Sequence, residues 1–265
     1  MSMRLDRLSL VFLLAIPAAH GADWSATEFQ YQHGVLASPA FAGKTDAATN
    51  IYTLQHASGW GFGDVFFFID NLHDSRQDGA NFNDNDYYGE LYVNFSLGKL
   101  SGKKVGAGPI RDVGLLLGIN AGRDAKVRKY LPGIRLSWDI PGFAFLNTDF
   151  TAYLDDSAGA ARGGAPAESD SQMVDVNWAY PFSLGRQSFS IEGHVEYIGK
   201  RSNEFGAEVS PWILAQPQFR WDAGKAFYGR PNQLFLGIEY QYWRNKLGDK
   251  STSESRPQAL LVWRF

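Results

Sequence analysis

Cysteine is absent from the 265 residues. That excludes disulfide staples, thiol catalysis and Cys-ligated zinc. No excess of either charge sign is present: 25 Lys and Arg stand against 28 Asp and Glu, a net −3. Nothing is basic enough to make nucleic acid a partner. Beyond the first 16 residues no segment approaches 18 consecutive apolar residues, so no transmembrane helix is predicted. Glycine and aromatic residues are plentiful instead, with 28 Gly, 19 Phe, 12 Tyr and 8 Trp. Mean hydropathy is nonetheless negative, unlike that of helical membrane proteins. Such a composition suits an all-β chain in which apolar and polar residues alternate.

The first residues read as a secretory signal peptide. Arg4 and Arg7 make a positive start, Leu8–Ile16 an apolar core, and Ala19 and Gly21 supply small residues after Pro17. Nine apolar residues are too few to cross a bilayer, which needs about 20. The expected division is residues 1–21 as signal peptide and 22–265 as the folded unit, with cleavage after Gly21 or Ala22. The peptide's two arginines and one aspartate sum to +1, leaving −4 on the remainder. Export without cysteine fits a bacterial envelope protein better than a small secreted scaffold.

Period-2 segments recur along the remainder, with no long stretch of period 3.6. Twelve strands are predicted: Trp24–His33, Thr49–Ser58, Gly63–Asp70, Tyr87–Leu97, Asp112–Gly122, Tyr130–Trp138, Ala144–Asp155, Ser171–Tyr180, Gln187–Gly199, Pro211–Asp222, Asn232–Trp243 and Ser255–Phe265. Their connections alternate in length. Gly59–Phe62, Asp139–Phe143, Pro181–Arg186 and Ala223–Pro231 read as turns, with Gly98–Arg111 the long exception. Gly34–Ala48, Asn71–Asp86, Asp156–Asp170, Lys200–Ser210 and Arg244–Glu254 are longer and polar, and only Arg123–Lys129 among that set is brief. An up-and-down antiparallel barrel of the outer membrane predicts this asymmetry, with tight periplasmic turns and longer outside loops.

The faces agree with a barrel whose outside is apolar. Phe189, Ile191, Val195 and Tyr197 alternate with Ser190, Glu192, His194 and Glu196. Ile213, Ala215, Phe219 and Trp221 alternate with Gln216, Gln218, Arg220 and Asp222. Leu234, Leu236, Ile238, Tyr240 and Tyr242 oppose Glu239 and Gln241. Charges at every second position cannot pack in a soluble core but can line a wet lumen. All eight tryptophans lie within three residues of a predicted strand end, as an aromatic girdle at the membrane interfaces requires. The last strand ends in Trp263-Arg264-Phe265, with Ala259, Leu261, Trp263 and Phe265 on one face. An aromatic C-terminus of this kind resembles the signal read by the barrel-insertion machinery of the bacterial envelope.

Catalytic signals are weak. Ser190, Glu192 and His194 share a strand face, yet residues four apart on a strand are about 13 Å apart, too far for a serine–histidine pair. An envelope enzyme acting on lipid would have to use this face. Gly59–Gly63 reads as a turn and not a phosphate loop, since no helix follows. Asn81–Asp86 hints at calcium but lacks the spacing and closing Glu of a calcium loop, so a solvated outer loop is expected. No cofactor or metal is called for.

Strand parity turns Glu28, Gln30, Gln32, Asp64, Phe66, Phe68, Asp70, Glu90, Tyr92, Asn94, Arg135, Asp149, Tyr153, Asp175, Asn177, Arg220 and Glu239 inward. Phe66–Ile69 is apolar throughout and allows either phase: Phe66 and Phe68 toward the lumen, or Val65, Phe67 and Ile69. Rings interleaved with both signs of charge suit a neutral solute with a flat apolar part and several hydroxyls, such as a nucleoside. Phe66, Phe68 and Tyr92 are the candidate stacking surfaces. Asp64, Asp70, Glu90, Asn94, Arg135 and Asp149 are candidates for hydroxyl and amide contacts. A non-selective or differently selective small porin is the alternative.

Asn50–His56 followed by Gly63–Asp70 resembles the paired early strands of the nucleoside-specific outer-membrane channel family (Tsx-like). Glu90–Leu100 is similar to that family's next strand and turn, and Gly108-Pro109-Ile110 to its Gly-Pro pair before the following strand. Leu131–Ile134 and Trp138–Gly142 resemble its central hairpin. The resemblance covers Asn50–Asp155, and the last third by pattern alone. It implies a monomeric twelve-stranded barrel in the bacterial outer membrane, with weak nucleoside sites in a narrow passage. The partners expected are outer-membrane lipid and lipopolysaccharide, nucleosides or related small solutes, and phage at the outer loops. The loop Asn71–Asp86 and the Phe66–Phe68 run depart from the family pattern.

Overall fold

Alternation of apolar and polar side chains needs a sheet with one wet and one dry face, and the chain supplies twelve strands to make one. The computed structural model describes residues 21–75 and 84–265. The signal-peptide reading, apart from Gly21, and residues 81–83 of the Asn81–Asp86 segment lie outside them. In chain order the strands are β1 (Trp24–Ala37), β2 (Asp46–Trp60), β3 (Gly63–Asp74), β4 (Asp84–Ser96), β5 (Ile110–Gly122) and β6 (Val127–Trp138). They continue as β7 (Phe145–Asp155), β8 (Ser171–Leu184), β9 (Gln187–Ile198), β10 (Trp212–Ala215 and Gln218–Asp222), β11 (Leu234–Arg244) and β12 (Glu254–Arg264). Each pairs antiparallel with its chain neighbours, and β12 pairs back onto β1 with Phe29 opposite Trp263. The sheet is therefore a closed barrel with no free edge, the arrangement that satisfies every strand's backbone in lipid.

Crossing the hydrocarbon takes about 9–11 tilted residues per strand. The uninterrupted strands run from 11 residues (β7) to 15 (β2), enough with some overhang. Polarity is inverted relative to a soluble protein. On β5, Leu115 and Leu117 face outward at 53% and 54% exposure, while Leu116 between them is 1% exposed inside. Arg220, Gln30, Glu28 and Glu239 are all buried within the barrel.

One rim carries tight connections, such as the two-residue hairpin 61–62 and Gly185-Arg186, together with two short helices. The helices are α1 (Leu97–Ser101) and α2 (Ala223–Tyr228). Ser96 caps α1 by accepting from the Lys99 N–H at 2.9 Å, and Asp222 caps α2 through the Lys225 N–H at 2.8 Å. The opposite rim carries the longer connections, which hydrogen-bond to one another. Ala165 N–H donates to the Ala125 carbonyl at 2.8 Å and Ala160 N–H to the Glu204 carboxylate at 2.8 Å. Ser210 N–H reaches the Gly248 carbonyl at 3.0 Å and Ala40 N–H the Asp249 carboxylate at 2.7 Å. These links join five loops into a collar around the mouth.

Candidate functional site

Inward parity brings the polar residues together along the barrel axis. Among the described residues, the interior holds a cavity of about 760 Å³ toward the helix-bearing rim and another of about 850 Å³ toward the collar. All nine residues singled out from the sequence, Asp64, Phe66, Phe68, Asp70, Glu90, Tyr92, Asn94, Arg135 and Asp149, line the first. The open phase of Phe66–Ile69 is thereby fixed: Phe66 and Phe68 point inward, and Ile69 is exposed on the outer face. Six residues line both cavities and so form the waist between them: Phe68, Asp70, Glu90, His194, Glu196 and Gln216.

The nine differ in what they offer a solute. Arg135 is nearly buried and forks onto Asp149 with two bonds of 2.8 and 2.7 Å, while its third arm reaches Asp64 at 2.8 Å. Asn94 donates to the other Asp64 oxygen at 2.7 Å. A bidentate guanidinium of this kind is held rigidly, so Arg135, Asp149 and Asn94 chiefly fix the wall. Tyr92 is 9% exposed, its ring covered by the apolar side chains Leu116 and Leu131 and its hydroxyl on Asn120 at 3.2 Å. Little of that ring is free for stacking. Phe66, Phe68, Asp64, Asp70 and Glu90 are half-buried and keep open surface toward the lumen. The Phe68 ring lies 6.2 Å from Phe66 and 6.1 Å from Tyr88, centroid to centroid, which gives a tilted aromatic strip beside the waist.

The polar groups form a chain around the wall. Asn177 donates to Asp149 at 3.3 Å and to Asp175 at 2.8 Å. His194 sits between the Asp175 carboxylate at 2.9 Å and the Gln216 side-chain oxygen at 3.0 Å. Gln216 in turn donates to Glu239 and Gln241, and Gln32 links Glu239 toward Thr53 and Asp70. Ser190 donates to Glu192 at 2.5 Å, so the bonds of Ser190 and His194 do not join them as nucleophile and base.

Several interior residues escaped sequence reasoning. Leu116, Leu131, Met173, Ile198 and Trp212 join Tyr92 and Tyr153 in an apolar band on the inner wall of β4–β10. The girdle assignment is corrected for Trp212 and Trp243. Both face the collar-side cavity, their rings 6.3 Å apart and nearly perpendicular, and the Trp212 N–H donates to Glu196 at 3.2 Å. Position near a strand end marks a girdle only when parity also points outward. The waist residue Gln216 precedes Pro217, which has no N–H to give and interrupts β10 there. Gly193 lies opposite, with φ +140°, and a Cβ on it would come within 2.3 Å of the Gln216 carbonyl oxygen. Among the described residues no group of three or more His, Asp or Glu is arranged to hold a metal.

No protein-family model matches the chain. No curated protein matches it either. Solved structures do. A NanC porin structure is 13% identical over 89% of this chain and 98% of that one, with a TM-score of 0.50. A KdgM porin is 9% identical over 90% and 99%, with a TM-score of 0.48. OccK11 (OpdR) of Pseudomonas aeruginosa is 10% identical over 91% and 95%, with a TM-score of 0.34. At such identities the likeness concerns the fold: this chain is a closed twelve-stranded antiparallel barrel similar to that of the NanC porin.

Proposed function

We propose that the chain is a channel of the bacterial outer membrane through which small polar solutes diffuse passively, with nucleosides as the class the lumen suits. The Tsx-like motifs and the porin-like barrel both support this reading. The observation that carries it is the open strip of Phe66 and Phe68 set directly beside Asp64, Asp70 and Glu90 in one cavity. A base can lie on the rings, an interaction of about 1–3 kcal/mol where it has been measured in nucleic-acid complexes. Ribose hydroxyls can donate to the carboxylates. Contacts of that strength select without trapping, as conduction requires. Twelve strands stand between the filled eight-stranded barrel and the open sixteen-stranded porin, so side chains narrow the bore without plugging it. The chain acts as a monomer surrounded by lipid and lipopolysaccharide, and its collar is the surface open to phage.

Planar-bilayer recording of the purified protein tests the solute class. Adenosine is expected to reduce single-channel current at concentrations where a sugar of similar size does not, and Phe68→Ala to weaken that block about tenfold, the loss of one stacking contact of about 1.4 kcal/mol. Equal effects of adenosine and sugar would reject nucleoside selectivity and leave a general small-solute channel.

A further inference from the structure

We infer that the waist sorts solutes by charge, favouring small cations, in particular those carrying an ammonium group beside a flat apolar part, and turning back anions. The inference rests on the channel reading. It starts from the balance of charges inside the barrel. Each buried Arg or Lys of the described wall is already matched by carboxylates, while Arg111 and Lys250, which also line the cavities, are exposed at the two rims. Arg135 is held between Asp64 and Asp149, and Arg220 between Glu28 and Glu192. Lys129 and Arg201 share Glu168, with Asp155 also on Lys129, and Lys246 lies 2.5 Å from Glu254.

Carboxylates at and beside the waist have no such partner. Asp70 accepts from Thr53 at 2.6 Å, Glu90 from Tyr88 at 2.5 Å and Asn120 at 2.9 Å, and Glu196 from Trp212 at 3.2 Å. Glu239 accepts from glutamines, Gln218 at 2.6 Å and Gln258 at 2.9 Å among them. Asp175 accepts from Asn177 and lies against His194. Among the described residues none of these five has a salt bridge to Lys or Arg. Counting His194 as fully positive still leaves one cation among five carboxylates.

The place of this excess decides its consequence. Asp70, Glu90 and Glu196 are half of the six residues at which the two cavities meet, so a solute passing from one to the other meets all three. Rings of Asp and Glu at a constriction select cations, and low-dielectric walls focus their field. Phe68, itself a waist residue, and Tyr88 next to it present faces on which an ammonium can also rest. A neutral nucleoside meets no barrier of charge here, so the two readings are compatible.

Reversal potentials across a KCl gradient give the first test. The wild type is expected to pass K+ over Cl− by about tenfold, and the triple variant Asp70→Asn/Glu90→Gln/Glu196→Gln to fall to near parity. A second measurement needs no variant: phenethylammonium is expected to block the current at about tenfold lower concentration than phenylacetate, which offers the same ring with the opposite charge. Zero or anion-favouring reversal potential in conducting wild-type channels, or equal block by the two probes, would overturn the inference while leaving the channel reading intact. Absence of any conducting channel would instead reject the channel reading on which it rests.

Discussion

Gly118 on β5 shows how one missing side chain sets the shape of the passage. A Cβ there would lie 2.6 Å from the Tyr92 ring, so the ring occupies the space that a side chain would take. Gly118→Val is expected to push Tyr92 into the 760 Å³ cavity. The crowding should cost about 1–3 kcal/mol of stability and lower single-channel conductance. Conductance equal to wild type would place the ring elsewhere. At this scale the sequence was readable where charge marked a phase. Asp64 and Asp70 bracket Phe66 and Phe68 at even spacing, and the four do share the inner face. It was unreadable at Leu115-Leu116-Leu117, where both faces are apolar and period 2 carries no phase. Leu116 is inward without having been singled out, whereas Met173 and Ile198 follow the parity of Asp175 and Glu196 on their strands.

At the scale of elements, the strands were legible because a two-sided environment imposes strict alternation and a one-residue slip would invert every side chain. All twelve predicted strands are present, several of them longer than predicted at the collar rim. The interruption of β10 was not predicted, since Gln216-Pro217 sits within an otherwise continuous alternation. The seam that closes the barrel has its own fastening. Glu28 on β1 accepts from Arg264 of β12 at 2.7 Å and from Arg220 of β10 at 3.1 Å, with its side chain 4% exposed. Glu28→Ala would leave Arg264 without a carboxylate and Arg220 with Glu192 alone, at 3.3 Å, near the junction of the first and last strands. The expected cost is about 3–5 kcal/mol, measured by urea unfolding of the refolded protein in detergent, with Glu28→Gln losing less. A change below about 1 kcal/mol, the range of an exposed surface pair, would show that pairing of the strands alone closes the barrel.

For the whole molecule, one inversion governs everything above: leucine, isoleucine and phenylalanine outside, carboxylates and glutamines inside. Composition pointed to it, because abundant aromatics with negative mean hydropathy require apolar and polar residues to be sorted by face instead of by segment. What composition could not supply was the waist, which depends on where side chains from β3, β4, β9 and β10 meet at one depth. The absence of native cysteine makes the inversion directly testable, since a single introduced thiol reports its own environment. Single-channel current should be recorded for Asp70→Cys and Leu115→Cys while a charged, membrane-impermeant methanethiosulfonate is added. A stepwise loss of current is expected for Asp70→Cys and no change for Leu115→Cys, whose thiol lies in lipid. Block at Leu115→Cys with none at Asp70→Cys would contradict the inversion.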